Sequence, residues 1–136
     1  MSVAEVEERL KRFIKLTCVA NPDLLRHLYE ANRTLGASPL ERKHQLYMFI
    51  DVIKQALTRA IRYGVLSFDE ALDIYEKVWE AFWQYGTNVI YNADINEYIK
   101  FLDRVIEILE QNPKYAEWID KMWKDLQTLY KGIFSS

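Results

Sequence analysis

The sequence predicts an all-α protein: one compact domain over residues 1–136, a bundle of five to six helices around a long central helix at about 39–63. Three observations carry that expectation. Apolar residues recur at three- and four-residue spacing through nearly the whole chain, and no segment alternates as a half-buried strand would. The four glycines and three prolines are sparse, and most sit at the ends of those periodic runs. With half of its 136 residues hydrophobic, the chain is long enough to bury one core and too short for a second.

The helix boundaries follow in order. Ser2 and Glu5 have capping-box spacing and open a helix at about 3–19, with Val3, Val6, Leu10, Phe13, Ile14 and Thr17 along one stripe. Asn21-Pro22 starts the next, because proline at the first helical position gives up an amide that would be unpaired anyway. It carries Leu24, Leu28, Ala31 and Leu35 inward and stops at Gly36. Ser38, Pro39 and Glu41 then launch the long helix, about 25 residues or roughly 37 Å, closed by Gly64. Leu46, Phe49, Ile50, Val52, Ile53, Ala56, Leu57, Ala60 and Ile61 fill about half of its wheel, more than one neighbour can cover.

Ser67 and Glu70, with Leu66 ahead of the cap, begin a helix bearing Leu72, Ile74, Tyr75, Val78, Trp79, Phe82 and Trp83, with Gly86 as its stop. Periodicity fails over residues 87–94, which therefore read as the longest connection and a candidate functional loop, with a helical extension as the alternative. Asp94 and Glu97 cap a helix with Ile95, Tyr98, Ile99, Leu102, Val105, Ile106 and Leu109 inward. Asn112-Pro113 opens the last, with Tyr115, Trp118, Ile119, Met122, Leu126 and Leu129 as its stripe and Gly132 as its stop.

Charge and rings are unevenly divided about Ser67. Residues 1–66 hold 11 Lys/Arg against 7 Asp/Glu, a net of +4, and residues 67–136 hold 7 against 13, a net of −6. Five of the 19 aromatic rings lie in the first part and 14, including all four Trp, in the second. Glu5 with Arg9, Glu7 with Lys11 and Glu8 with Arg12 explain much of the first helix locally, as i,i+4 pairs in the favourable order. Arg59 and Arg62 suit the end of the long helix, where the dipole favours cations. Arg42 and Lys43 sit at its start, where the dipole disfavours them, and a broken local rule is where function is worth seeking.

Catalytic and metal chemistry find little purchase. Glu41 and His44 spell the Glu-x-x-His half-motif of di-iron bundles, but no second copy exists and Glu41 is already a cap residue. His27 with Glu30 reads as a surface pair. The one cysteine, Cys18, lies at a helix C-terminus, which disfavours thiolate, and reads as a buried small hydrophobe. There is no glycine-rich phosphate loop and no nucleophile elbow. No catalytic residue, cofactor, metal or small-molecule substrate is expected. A charged N-terminus and the lack of a long apolar run lead to the expectation of a cytoplasmic protein without a membrane segment.

The turn Thr34-Leu35-Gly36-Ala37-Ser38-Pro39 resembles the Leu-Gly-x-Ser turn of helix-turn-helix DNA-binding proteins, over about 20 residues. It departs from that pattern where the small residue four before the glycine falls on Asn32 and the buried apolar one six after it falls on Arg42. The same helix-Gly-Ser-Pro-helix passage builds any helical hairpin.

Two function classes remain. The first is a non-enzymatic helical protein that binds protein, itself included as a homo-oligomer, with Trp118 and Trp123 as candidate interface residues and Trp123 as the Trp expected to be exposed. The second is a small nucleic-acid-binding accessory protein, whose phosphate contacts would be Arg33, Arg42, Lys43, Lys54, Arg59 and Arg62.

Overall fold

The structure, a computed structural model, describes residues 3–18 and 38–134, with side chains for 4–18 and 38–126. It is all-α: α1 (Val3–Thr17), α2 (Pro39–Arg62), α3 (Phe68–Ala81), a π turn (Phe82–Gly86), α4 (Thr87–Asn92), α5 (Ile95–Glu110) and α6 (Pro113–Phe134), with no strand among the described residues. The Ser2 cap, the helix expected after Asn21-Pro22, its stop at Gly36 and the His27–Glu30 pair lie outside the described residues.

Most of the expected starts are made by the expected groups. Ser38 Oγ accepts from the Glu41 amide, and Ser67 and Glu70 form a full reciprocal box. Asp94 accepts from the Asn96 and Glu97 amides, and Asn112 Oδ1 from the Tyr115 amide. Gly64 closes α2 in the left-handed region at φ 72°, as its position predicts. Gly132 does not stop α6, which continues to Phe134.

The largest departure concerns Gly86 and the expected loop. Gly86 is right-handed, at φ −65°, and the chain stays helical through the π turn and α4 to Asn92. The reversal falls at Ala93, a non-glycine at φ 51°, whose amide donates to the Val89 carbonyl. Gly86 is small for a packing reason: a Cβ there would stand 3.2 Å from Phe82 Cδ2 and 3.3 Å from Leu46 Cδ1, so the helix lies almost directly on α2.

The length and wide apolar arc of α2 predict it as the central element, but the helix that meets every other described helix is α5. It packs on α1, α3, the π turn, α4 and α6, and its Tyr98 and Phe101 rings meet Phe49 of α2. Half of its 16 residues are buried, against nine of 24 in α2, so the density of apolar side chains decides the centre more than helix length does.

The charge asymmetry is largely used inside the molecule. Arg9, Arg12 and Lys15 of α1 reach across to Asp103 (2.7 Å) and Glu110 (2.7 Å) of α5 and Asp120 (3.4 Å) of α6. Arg9 and Arg12, expected to pair along their own helix, thus join Lys15 in docking α1 onto the acidic half. Each exposed pair contributes at most about 1 kcal/mol, but three in a row fix the rotation of α1 about its axis.

Gly86→Val should lower unfolding stability by about 1–3 kcal/mol in a urea titration, since the branched side chain must displace the Phe82 ring or Leu46.

Candidate functional site

Two of the cations expected at a phosphate-binding surface, Arg42 and Arg59, are used instead on helix ends. A helix leaves its last four carbonyls without partners, and inside a bundle each needs a donor. At the end of α1 all four have one. Ile14 accepts from the Cys18 amide (2.9 Å), Lys15 from Cys18 Sγ (3.5 Å), Leu16 from the Tyr115 hydroxyl (2.7 Å) and Thr17 from an Arg59 guanidinium nitrogen. Arg59 also reaches the Cys18 carbonyl. Cys18 itself is left-handed, at φ 49°, a conformation glycine ordinarily supplies at this position.

Arg42 resolves the other anomaly. It is 7% exposed, and its Nε donates to the Ile90 carbonyl at 2.8 Å, in the last turn of α4. Its position at the start of α2 is unfavourable for that helix and serves the end of another. Of the six cations named for nucleic acid, Arg33 lies outside the described residues, Arg42 and Arg59 hold carbonyls, and Lys43, Lys54 and Arg62 are exposed along α2.

The thiol beside Arg59 is not poised for nucleophilic chemistry. Burial pushes Cys18 up to about 11, only partly opposed by Arg59 and Lys15, so it is protonated at neutral pH. Burial also raises the Tyr115 phenol, with Cys18 adding to the rise. Glu70 is held down to about 2 by hydrogen bonds from Lys114 and the Ser67 backbone. No group of three His, Cys, Asp or Glu side chains among the described residues could hold a metal ion, and His44 is exposed.

What does stand out is a face formed by α3 and the near edge of α2. On a 100° wheel the α3 side chains fall into three adjoining bands. Ala71, Ile74, Val78 and Ala81 are buried. Beside them run Phe68, Leu72, Tyr75, Trp79 and Trp83, spaced four, three, four and four residues apart; Phe68 is 67%, Leu72 41% and Trp83 63% exposed. Beyond that line run Asp69, Asp73, Glu76 and Glu80, all exposed. A stripe that reads as core in the sequence is therefore half core and half surface.

The rings of the line form one connected set. Tyr75 meets Trp79 edge-on with centroids 6.4 Å apart, Trp79 stacks on Trp83 at 6.3 Å and 29°, and Tyr47 of α2 closes on Trp79 at 6.0 Å. Lys43 Nζ lies 5.5 Å over the Tyr47 ring. Towards the α2–α3 turn, Lys54, Thr58 and Ile61 face Phe68, Leu72 and Tyr75 across a shallow groove of about 120 Å³. Such ring-to-ring packing holds a large apolar surface rigid while leaving it in water.

The two Trp expected at an interface are placed differently. Trp118 is half-buried between Tyr63 and Tyr115, and Trp123 is half-buried against the core. The exposed Trp is Trp83. The sequence signal for this face was the breadth of the α3 apolar arc, more than 180° when both bands are counted, which no single neighbour covers.

Comparison with protein-family models, with curated proteins and with solved structures finds no match.

The raised thiol has a pH consequence. Between an ordinary value of 9.0 and a folded value of about 11, the folded chain keeps a proton that the unfolded chain has lost. Stability from this group is therefore full below pH 9 and declines as pH rises towards 11. Urea titrations between pH 8 and 11 should show that decline in the parent protein and a shallower one in Cys18→Ala.

Proposed function

We propose that the protein acts by binding another protein chain through the α2–α3 face, and that it carries out no catalysis of its own. The observation that carries this reading is the line Phe68, Leu72, Tyr75, Trp79 and Trp83, in which Phe68, Leu72 and Trp83 are exposed and Tyr75 and Trp79 half-buried. Isolated exposed apolar residues are ordinary, but a line of five in register along α3 and into the π turn, four of them aromatic, forms a contiguous patch of the kind that marks interaction surfaces. Trp and Tyr are also the residues that most often dominate binding energy when a partner buries them. Covering an exposed member of the line fully would contribute up to about 1.5–3 kcal/mol.

The charge arrangement favours protein over nucleic acid as the partner. Base stacking on aromatic rings works where cations run alongside to meet the phosphates. Here cations run along one flank only, Lys43, Lys54 and Arg62 of α2; the outer flank is acidic, with Asp69, Asp73, Glu76 and Glu80, and Arg42 and Arg59 are committed to carbonyls.

A photo-cross-linking residue placed at Leu72 or Trp83 should yield discrete protein adducts in cells producing the protein, whereas one at Glu110, outside this face, should not. The reading fails when the face sites give no more adduct than the Glu110 control.

A further inference from the structure

We propose that the occupant of this face is a second copy of the same chain, related by a two-fold axis running along the line Phe68 to Trp83. The inference rests on the protein-binding reading above and adds the identity of the partner and its orientation.

The two edges of the face differ in net charge. On the α2 side lie Lys43, Lys54 and Arg62, with one acid among them, Asp51, which accepts from Gln55; on the far side of the aromatic line lie Asp69, Glu76 and Glu80. Lys54, Arg62, Asp69, Glu76 and Glu80 make no ion pair among the described residues. Within α3 the acids are unhelpful to one another: Asp69 with Asp73 and Glu76 with Glu80 are like charges at i,i+4, which disfavours the helix. Asp73 has Lys77 at 3.1 Å, but Glu76 and Glu80 have no such relief. A row of acids beside an exposed apolar line is complementary to a cationic partner surface, and the other edge of this same face supplies one.

The levels along the face also agree. Because α2 and α3 run in opposite directions, the groove that joins Lys54 to Leu72 and Tyr75 sets Lys54 level with Glu76. The contact of Tyr47 with Trp79, together with Lys43 over the Tyr47 ring, sets Lys43 near the level of Glu80. Arg62 ends α2 and Asp69 lies in the first turn of α3, so both stand at the turn end of the face. Rotation about an axis along the aromatic line exchanges the two edges while keeping every level. Lys54 of one copy then meets Glu76 of the other, Lys43 meets Glu80 and Arg62 meets Asp69, each pair twice, with the rings closing on one another between them. An axis across the line would instead set cation on cation and acid on acid. An isologous contact of this kind is self-complementary without further residues.

The test is sedimentation or light scattering over a concentration series at low salt. The parent protein should form a reversible dimer that weakens as salt screens the edge pairs. Lys54→Glu and Glu76→Lys should each weaken dimerisation at least about tenfold, since each sets like charges opposite one another, and the double exchange should restore it. Circular dichroism melts establish that each variant is folded. A strict monomer at all concentrations overturns the second copy as partner; adducts to other proteins at Leu72 would then leave the protein-binding reading standing, and their absence would remove both. A dimer indifferent to both charge reversals overturns the proposed axis.

Discussion

Short helices packed tightly must end inside the molecule, and the carbonyls at those ends need donors that water cannot supply. Much of this structure follows from how that need is met. The end of α1 takes the Tyr115 hydroxyl from α6, the Arg59 guanidinium from α2 and the amide and thiol of its own Cys18. The end of α4 takes Arg42 from the start of α2. An unmet buried carbonyl costs about 1–3 kcal/mol, so these contacts decide where α2 and α6 can lie relative to α1 and α4. Arginine suits the task because its guanidinium offers several donors at the end of a long apolar stem.

The same need explains why composition misled about the basic residues. A surplus of cations in the first half invites a phosphate-binding reading, yet α1 spends its cations on acids of α5 and α6, and α2 spends two arginines on backbone. Charge asymmetry along a chain becomes charge complementarity once the chain folds back on itself. The cations left at the surface of α2 are those on the edge it shares with the aromatic line.

The sequence made the fold class and most helix starts legible, because caps and periodicity are local and act through groups a few residues apart. Ser67 with Glu70, Asp94 and Asn112 each do what their spacing predicts. It could not show that Arg42 is buried, since its partner, the Ile90 carbonyl, is 48 residues away. Nor could it separate the two apolar bands of α3. Ile74 and Trp79 carry the same helical period, and only the placement of α2 and α5 decides which band is covered. Trp83 reads as core for that reason, and Trp123 reads as exposed because it sits at the margin of its stripe.

The π turn at Phe82–Gly86 changes the phase of everything after it. Its wider turn accommodates about one extra residue, which rotates the following helix by roughly 100° relative to an unbroken α-helix. Continued at α-helical phase, Gly86 and Ile90 would fall on the outer line with Trp79; after the shift both are buried, and Tyr91, 70% exposed, falls into line behind Trp83 instead. One additional residue thus lengthens the outward aromatic row to roughly 34 Å while keeping the inner face closed. It also accounts for the lost periodicity over residues 87–94: the helix is there, read in a different phase.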